Sequence, residues 1–204
     1  MKTEILKIKG DWQEVINDCR STVGKGDLGK EPSGTFKRAI LIAEHSPIRD
    51  LIVKWRWGGI KSWIATHWAR HKWECFVRSQ RDDRTGIPRD DLPQAAAVDF
   101  TGEANAQHLI DTMRRRLCRM SHPETRAYAE DLKITLRDVN PELSSVLVPN
   151  CIYRCGCPEM GGCSFWHDFM EYCFFETDDD PRMVSIEKRY QLYNRYFAEM
   201  RLPQ

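Results

Sequence analysis

The chain has 204 residues, of which 31 are Lys or Arg and 30 are Asp or Glu, so its formal net charge is only +1. This balance excludes the overall positive field with which proteins track nucleic-acid polymers, so we expect no such partner. No apolar run reaches the length of a membrane span, and the first residues lack the apolar segment of a signal peptide. We therefore expect a cytoplasmic protein without membrane contact, whose eight cysteines are reduced.

The first part of the chain alternates between strand and helix patterns. Polar and apolar residues alternate in three segments, which predicts strands at 2–9, 49–57 and 74–80. Helical spacing of apolar residues, with Asp11 as a capping residue for the first segment, predicts helices at 11–24, 35–44 and 60–72. Gly58 and Gly59 are predicted to form the turn before the third of these helices.

The second part of the chain is predicted to be mainly helical. An apolar stripe that includes Leu109 and Met113 predicts an amphipathic helix over 102–120. Ser121 with Glu124 forms a capping-box pattern, which predicts a helix up to about 138. A cysteine-rich loop and a closing helix are predicted to follow at 151–163 and 183–200. Strands followed by helices indicate an α+β fold. We predict one domain, 1–204, with a strand-rich part, a linker and a helical, Cys-rich part at 1–84, 85–101 and 102–204.

The segment 65–84 interleaves basic and aromatic residues. A predicted helix ends in Arg70-His71-Lys72, with Trp68 and Trp73 beside these cations. Arginine presents a flat fork to phosphate groups, and lysine presents a point charge. Aromatic neighbours offer a face to a planar ring. The segment therefore fits a nucleotide or a flavin, while a solvated basic surface over buried tryptophans is the simpler alternative.

Several motifs occur in the order typical of one enzyme family. Glu44-His45-Ser46-Pro47 resembles an EHxS-type segment, Arg70-His71-Lys72 an R-H-R triplet, and Ser79-Gln80-Arg81 an S-x-R loop. Three more motifs follow further along the chain. Asn105-Ala106-Gln107 resembles an N-A-R motif at the start of a helix, and Arg116 stands at the arginine that closes that helix. Residues 121–126 resemble the A-Q-W-E-I-R continuation. Together these motifs resemble the flavin-dependent thymidylate synthases, and the chain looks like a short, divergent member.

The resemblance implies a fold and a reaction. It implies a mainly antiparallel sheet flanked by helices, FAD as cofactor, and a homotetramer with sites at subunit interfaces. It also implies methylation of dUMP to dTMP, or a related one-carbon transfer, with NADPH and methylenetetrahydrofolate as co-substrates. The flavin supplies the hydride chemistry in such enzymes, so the protein supplies orientation and charge.

Roles for individual residues follow from the same resemblance. It implies that the cofactor is bound by Arg70, His71, Lys72 and Asn105. It implies that the substrate is bound by His67, Ser79, Gln80, Arg81 and Arg116. Arg116 would also act as the catalytic residue, because it would stabilise charge that develops on the uracil. Two simpler alternatives stay open: Asn105 as a helix-start residue, and Arg116 as a partner of Asp111 or Glu124.

The chain also departs from the family pattern. Lys72 stands at the second arginine of the triplet, and Gln107 at the arginine of the N-A-R motif. Only 23 residues separate Arg81 from Asn105, where the family usually has several dozen more. A substrate-binding arginine of that segment has no clear counterpart, although Arg84 or Arg89 could substitute.

The cysteines support a different hypothesis. Four of them lie within one Gly- and Pro-containing stretch, at Cys151, Cys155, Cys157 and Cys163. Thiolates at such close spacing could bind zinc or an iron–sulfur cluster. The alternative function is therefore a non-enzymatic, zinc-stabilised domain that binds a nucleotide or a partner. His67 and His71 also lie on one helix face, but no metal site is assigned to them.

Overall fold

The computed structural model describes residues 2–200, and an antiparallel sheet lies at their centre. Within these residues the sheet has four strands in the order β1-β2-β4-β3, and every neighbouring pair is antiparallel. The strands are β1 (Thr3–Lys9), β2 (Ile52–Lys61), β3 (Glu74–Val77) and β4 (Ala97–Asn105). The predicted α+β class and antiparallel sheet are confirmed.

Helices pack around the sheet and make up most of the second half of the chain. In residues 2–200 they are α1 (Trp12–Ser21), α2 (Gly34–Ile42), α3 (Ser62–Ala69), α4 (Asp82–Thr85), α5 (Ala106–Arg116), α6 (Pro123–Arg137), α7 (Pro141–Val146), α8 (Asn150–Arg154), α9 (Phe165–Thr177) and α10 (Ile186–Glu199). Short 3-10 turns occupy Ser46–Asp50 and Arg89–Asp91. None of the described helices combines the length and apolar character needed to cross a membrane.

Strand β4 was not predicted, and it corrects both the proposed linker 85–101 and the proposed helix start at residue 102. It pairs with β2 on one side and with β3 on the other. Its buried residues alternate with more exposed ones, but Gly102 interrupts the apolar pattern in the sequence. A Cβ at Gly102 would lie 2.4 Å from Cζ2 of Trp55, so glycine is required where the strand passes over the indole ring.

The predicted turn at Gly58 and Gly59 is also wrong, because both residues lie inside β2. The pairing of β2 with β4 shifts register between Trp57 and Ile60, which marks a β-bulge. Gly59 has φ of 66°, a left-handed conformation that glycine adopts without strain. The bulge lets β2 continue to Lys61, and α3 begins at the next residue.

The predicted helix caps had different outcomes. Asp11 caps α1 in a complete capping box with Glu14, as expected. The capping box predicted at Ser121 does not form, because α6 begins one residue later and has His122 at its N-cap position without a side-chain cap bond. The Ser121 hydroxyl is instead buried without a hydrogen-bond partner. Helix α9, which no sequence pattern indicated, contributes Phe165 and Phe169 to the core.

Buried aromatic rings fix α3 against the sheet. The ring of Trp57 on β2 stacks on Phe100 of β4 at 5.3 Å and lies 4.8 Å from Trp68 of α3. All three side chains are fully buried, and the indole N–H of Trp57 donates to Thr3 Oγ1 at 2.8 Å. Burial of such large rings contributes several kcal/mol of stability in general. The carboxyl end of α3, which carries residues 70–72, is therefore held in one position.

Candidate functional site

An open cleft lies where the end of α3 meets α5 and α8. Two adjoining openings form it, with volumes of about 380 Å³ and 480 Å³. His71, Lys72 and His108 line both openings. The first opening also contains Arg70, and the second contains Asn105. The structure thus brings together Arg70, His71, Lys72 and Asn105, the four residues predicted to bind the cofactor.

The first opening is strongly cationic. Arg70, Lys72, Arg115 and Arg154 all line it, and among residues 2–200 no carboxylate lies within ion-pair distance of any of them. Asp111 is the acidic residue of this lining, and it pairs with Arg114 at 3.2 Å. The opening therefore concentrates positive charge in a chain whose net charge is only +1.

Arg116 lines neither opening of the cleft, but it contacts His67 and His71 at the end of α3. Its Nε donates to Nε2 of His71 at 2.8 Å, and its Nη2 donates to the backbone oxygen of His67 at 2.6 Å. Its guanidinium also lies 5.8 Å from the centre of the Trp68 ring. Asp111 and Glu124, the alternative partners considered from the sequence, pair with Arg114 and Lys61 instead. Arg116 thus joins α5 to the carboxyl end of α3.

Burial and neighbouring cations keep His71 neutral. Removal from water is the largest cause, and the charges of Arg116 and Arg115 add to it, so the pKa of His71 falls to about 4. Burial also lowers the pKa of Arg116, and Arg70 and Arg115 contribute further. Further positive charge is therefore unfavourable beside His71 and Arg116, and an anion is favoured there.

His67 lies one turn earlier on α3 and faces α6. Its Nδ1 is 3.0 Å from the hydroxyl of the buried Thr125. The ring of Trp63 lies 5.4 Å from His67 and 4.8 Å from His122. Burial, followed by the charges of Arg116 and Arg70, lowers the pKa of His67. His67 therefore belongs to the same electrostatic group as His71 and Arg116.

An ion pair fixes α5 against the segment that resembles the EHxS motif. Arg114 bonds to the carboxylate of Glu44, and Gln107 donates to the same carboxylate. The Arg114 guanidinium stacks on the ring of Tyr153 at 3.6 Å. Glu44 itself has φ of 52°, which is uncommon for a residue other than glycine. The EHxS-like segment and the helix that begins at the N-A-R-like motif thus meet through Glu44 and Arg114. The sequence did not indicate this pair.

Asn105 has a structural role in the described chain. It is the N-cap of α5, and its Oδ1 accepts a hydrogen bond from the backbone N–H of His108 at 2.9 Å. This is the helix-start alternative that the sequence left open. The residue also lines the second opening of the cleft.

The Ser79–Arg81 segment lies apart from Arg116. It follows β3 on an exposed edge and leads into α4. Its contacts are local: Ser79 Oγ accepts from the Arg81 N–H at 3.3 Å, and Arg81 pairs with Asp83 at 2.9 Å. Neither opening of the cleft is lined by Ser79, Gln80 or Arg81. Within one chain, the predicted phosphate-binding residues and the predicted catalytic arginine are not brought together.

The cysteines do not group as their spacing predicted. Cys155 Sγ lies 3.8 Å from the backbone oxygen of Pro181. Burial raises the pKa of Cys151 to about 12, with added effects from Cys118, Cys157 and Cys163. Cys118, which follows α5, thus acts electrostatically on Cys151, whereas Cys155 is not among the groups that do. Within residues 2–200 no group of three or more His, Cys, Asp or Glu side chains has the arrangement to hold a metal ion.

Sequence reasoning missed several residues of the cleft. Arg115 and Arg154 supply two of its unpaired cations, Tyr153 its aromatic wall, and His108 the point where the two openings join. The run Arg114-Arg115-Arg116 was visible in the sequence, but not that Arg114 and Arg115 line the first opening while Arg116 contacts His71 and His67. No signal in the sequence connected residues 153 and 154 with α3, because their proximity is purely tertiary.

In its fold, the chain is similar to solved structures of a flavin-dependent thymidylate synthase and of a UMP/dUMP methylase. A flavin-dependent thymidylate synthase from Helicobacter pylori, complexed with FAD and dUMP, is similar with a TM-score of 0.59 and 13% identity over 70% of this chain and 97% of that one. A UMP/dUMP methylase, PolB from Streptomyces cacaoi, bound with 5-Br dUMP, is similar with a TM-score of 0.57 and 15% identity over 71% and 93%. No protein-family model and no curated protein matches the sequence.

Proposed function

We propose that this protein is a flavin-dependent enzyme that methylates dUMP or a closely related pyrimidine deoxynucleotide. The observation that carries the proposal is the cationic cleft, in which Arg70, Lys72, Arg115 and Arg154 have no acidic partner among the described residues. Unpaired cations around a concave surface are typical of phosphate-bearing ligands. The shared fold supports the substrate class, because the similar proteins are complexed with dUMP or 5-Br dUMP.

The donor set of the first opening fits the pyrophosphate of FAD. Arg70, Lys72 and Arg115 offer charge to its oxygens, and Tyr153 offers an aromatic surface beside them. Bound FAD would supply the redox chemistry, with NADPH as the reductant and methylenetetrahydrofolate as the one-carbon donor. The protein's own contribution is to orient both ligands and to place fixed positive charge beside them.

Arg116 would serve the nucleotide side of the site, and its neighbour His71 would serve the cofactor side. His71 is uncharged, and its Nε2 is occupied by Arg116, so its Nδ1–H is left as a neutral donor. Arg116 keeps its positive charge and would stabilise negative charge that develops on the uracil ring. The ring of His67 contacts Thr125, and the backbone oxygen of His67 accepts a hydrogen bond from Arg116. His67 would therefore help to hold the Arg116 guanidinium in place.

The position of Ser79, Gln80 and Arg81 favours a site shared between subunits. These residues lie outside the cleft of their own chain, on the exposed loop after β3. In a homotetramer, the loop of one subunit could reach the cleft of another and contact the nucleotide phosphate. This loop lies at the sheet edge, because it directly follows the edge strand β3.

An absorbance titration tests the proposal. Purified protein is titrated with FAD and then with dUMP, and the flavin bands are followed. We expect FAD to bind and dUMP to shift its bands. The Arg70→Gln/Arg115→Gln double variant should bind FAD at least roughly tenfold more weakly, since each lost charge-assisted bond contributes about 1.5–3 kcal/mol. Arg56→Gln, which removes an exposed arginine paired with Glu4, is the matched control.

The outcomes separate the enzyme from the non-enzymatic alternative. A dUMP-dependent shift justifies a methylation assay with NADPH and methylenetetrahydrofolate. Absence of FAD binding by the wild-type protein contradicts the proposal. Zinc analysis of the same sample then tests whether the cysteines hold a metal.

A further inference from the structure

A second pocket lies between α6, α7 and α10, away from the residues of the cleft. Its volume is about 380 Å³, which is within the range of small-molecule sites. It shares no lining residue with either opening of the cleft. Its walls include Ile134, Pro141, Phe197 and Ala198, so a large part of its surface is apolar.

The pocket contains a buried lysine without an acidic partner. Lys133 is only 3% exposed, and its Nζ donates to the backbone oxygen of Ser144 and to Oδ1 of Asn194, both at 2.7 Å. Among residues 2–200 no carboxylate lies within ion-pair distance of it. Burial, with a smaller effect from Arg137, lowers its pKa to about 7. Two of its three N–H donors are used, and the ammonium group also lies 5.6 Å from the ring centres of Tyr193 and of Phe197, which lines the pocket.

Two arginines add to this charge. Arg38 lies 3.8 Å from the carboxylate of Glu187, but its buried Nε has no hydrogen-bond partner. Arg137 lies 3.9 Å from the carboxylate of Asp138, at the limit of an ion pair. None of the residues that line the pocket is acidic. Three cations thus line one small cavity, and the acids that pair with the two arginines at 3.8 Å and 3.9 Å lie outside its lining.

A purely structural role explains only part of this arrangement. The Lys133 bonds to Ser144 and Asn194 tie α6 to α7 and α10, and this accounts for the position of the ammonium group. It does not account for the absence of an acid from a lining that holds three cations. Burying uncompensated charge is costly unless something neutralises it. An anion in the pocket would neutralise it.

We infer that this pocket binds a small organic anion: a carboxylate or sulfonate on an aromatic or aliphatic frame. The acid group would lie beside Lys133, Arg38 and Arg137, and the apolar frame would lie against Ile134 and Phe197. The inference does not depend on the proposed function, because the two sites have no residue in common.

Fluorescence titration of the full chain with anilinonaphthalene sulfonate tests the inference. Arg38→Gln/Arg137→Gln should weaken binding of this probe by roughly tenfold or more, because charge-assisted bonds are lost. Binding of the uncharged analogue phenylnaphthylamine should not change. Lys133→Met, which keeps the side-chain length, should also lose affinity for the sulfonate.

Controls keep the test decisive. Arg56→Gln removes a cation outside the pocket, and the double variant Arg70→Gln/Arg115→Gln removes two cations from the cleft. Both variants should bind the sulfonate as the wild type does. Equal affinity in the Arg38→Gln/Arg137→Gln variant and the wild type would overturn the inference. So would equal loss in the cleft variant, since the probe would then lie in the cleft. If Lys133→Met does not fold, the arginine variants decide.

Discussion

Arg116 donates a hydrogen bond from its Nε to Nε2 of His71 over 2.8 Å. An arginine is always protonated in proteins, so the histidine nitrogen must be the acceptor. His71 therefore carries its proton on Nδ1 and is neutral, in agreement with a pKa lowered to about 4. Two residues that the sequence assigned to different ligands are thus in direct contact, and each determines what the other offers to a bound molecule.

The first prediction concerns the titration of His71. An NMR titration of its ring should show a midpoint near pH 4, because burial and then Arg116 and Arg115 disfavour the charged form. An unfolded chain takes up this proton at about pH 6.5. The stability that neutral His71 contributes is therefore present above about pH 6.5 and is lost as pH falls toward 4.

The Arg116→Gln variant provides the control for this titration. The midpoint of His71 should rise in the variant, because the second cause of the shift is gone, but burial should keep it below the ordinary value. A wild-type midpoint at the ordinary value, or one that Arg116→Gln leaves unchanged, would contradict the contact between these residues.

The second prediction concerns nucleotide affinity. Arg116→Gln should weaken dUMP binding to the FAD-loaded protein by roughly tenfold to hundredfold, the effect of losing a charge-assisted bond to a ligand. Titration of the flavin bands with dUMP measures this. Arg119→Gln is the matched control: Arg119 lies three residues further along the chain and pairs with Asp168 at 2.9 Å. An equal loss of affinity in both variants would assign the effect to general charge.

The third prediction concerns the ion pair between Glu44 and Arg114. Glu44→Gln should lower the free energy of unfolding by about 1–3 kcal/mol, because the mostly buried Arg114 loses the nearer of its two carboxylate partners. Thermal or urea unfolding measures the change. Glu4→Gln, which breaks an exposed pair with Arg56, should change the stability by less than about 1 kcal/mol. Equal effects of the two substitutions would mean that the Glu44 pair is no more than a surface pair.

The fourth prediction concerns the contact between Gly102 and Trp55. Gly102→Ala should destabilise the fold by about 1–3 kcal/mol, because the new methyl group overlaps a fully buried indole that has no room to move. Urea unfolding followed by tryptophan fluorescence measures this. Gly26→Ala is the control, since a Cβ there meets nothing within 4 Å. A Gly102→Ala variant as stable as Gly26→Ala would show that β4 does not pass over Trp55.

The sequence by itself determined the local features of this protein. Alternation predicted β1 and most of β2, and helical spacing predicted α1, α5 and α10 within a few residues of their observed ends. Asp11 and Asn105 cap helices because their short side chains reach nearby backbone N–H groups, an effect confined to a few residues. The cations of residues 70–72 also lie together simply because they are consecutive.

Only the tertiary structure decided the arrangements that bring distant segments together. Strand β4 exists through pairing with β2 and β3, and its Gly102 weakens the local pattern that would have predicted it. The contacts of Arg116 with His71, and of Arg114 with Glu44, join residues 45 and 70 positions apart. Such contacts depend on how helices pack on the sheet, because packing, unlike capping or alternation, is not encoded within any short window of sequence.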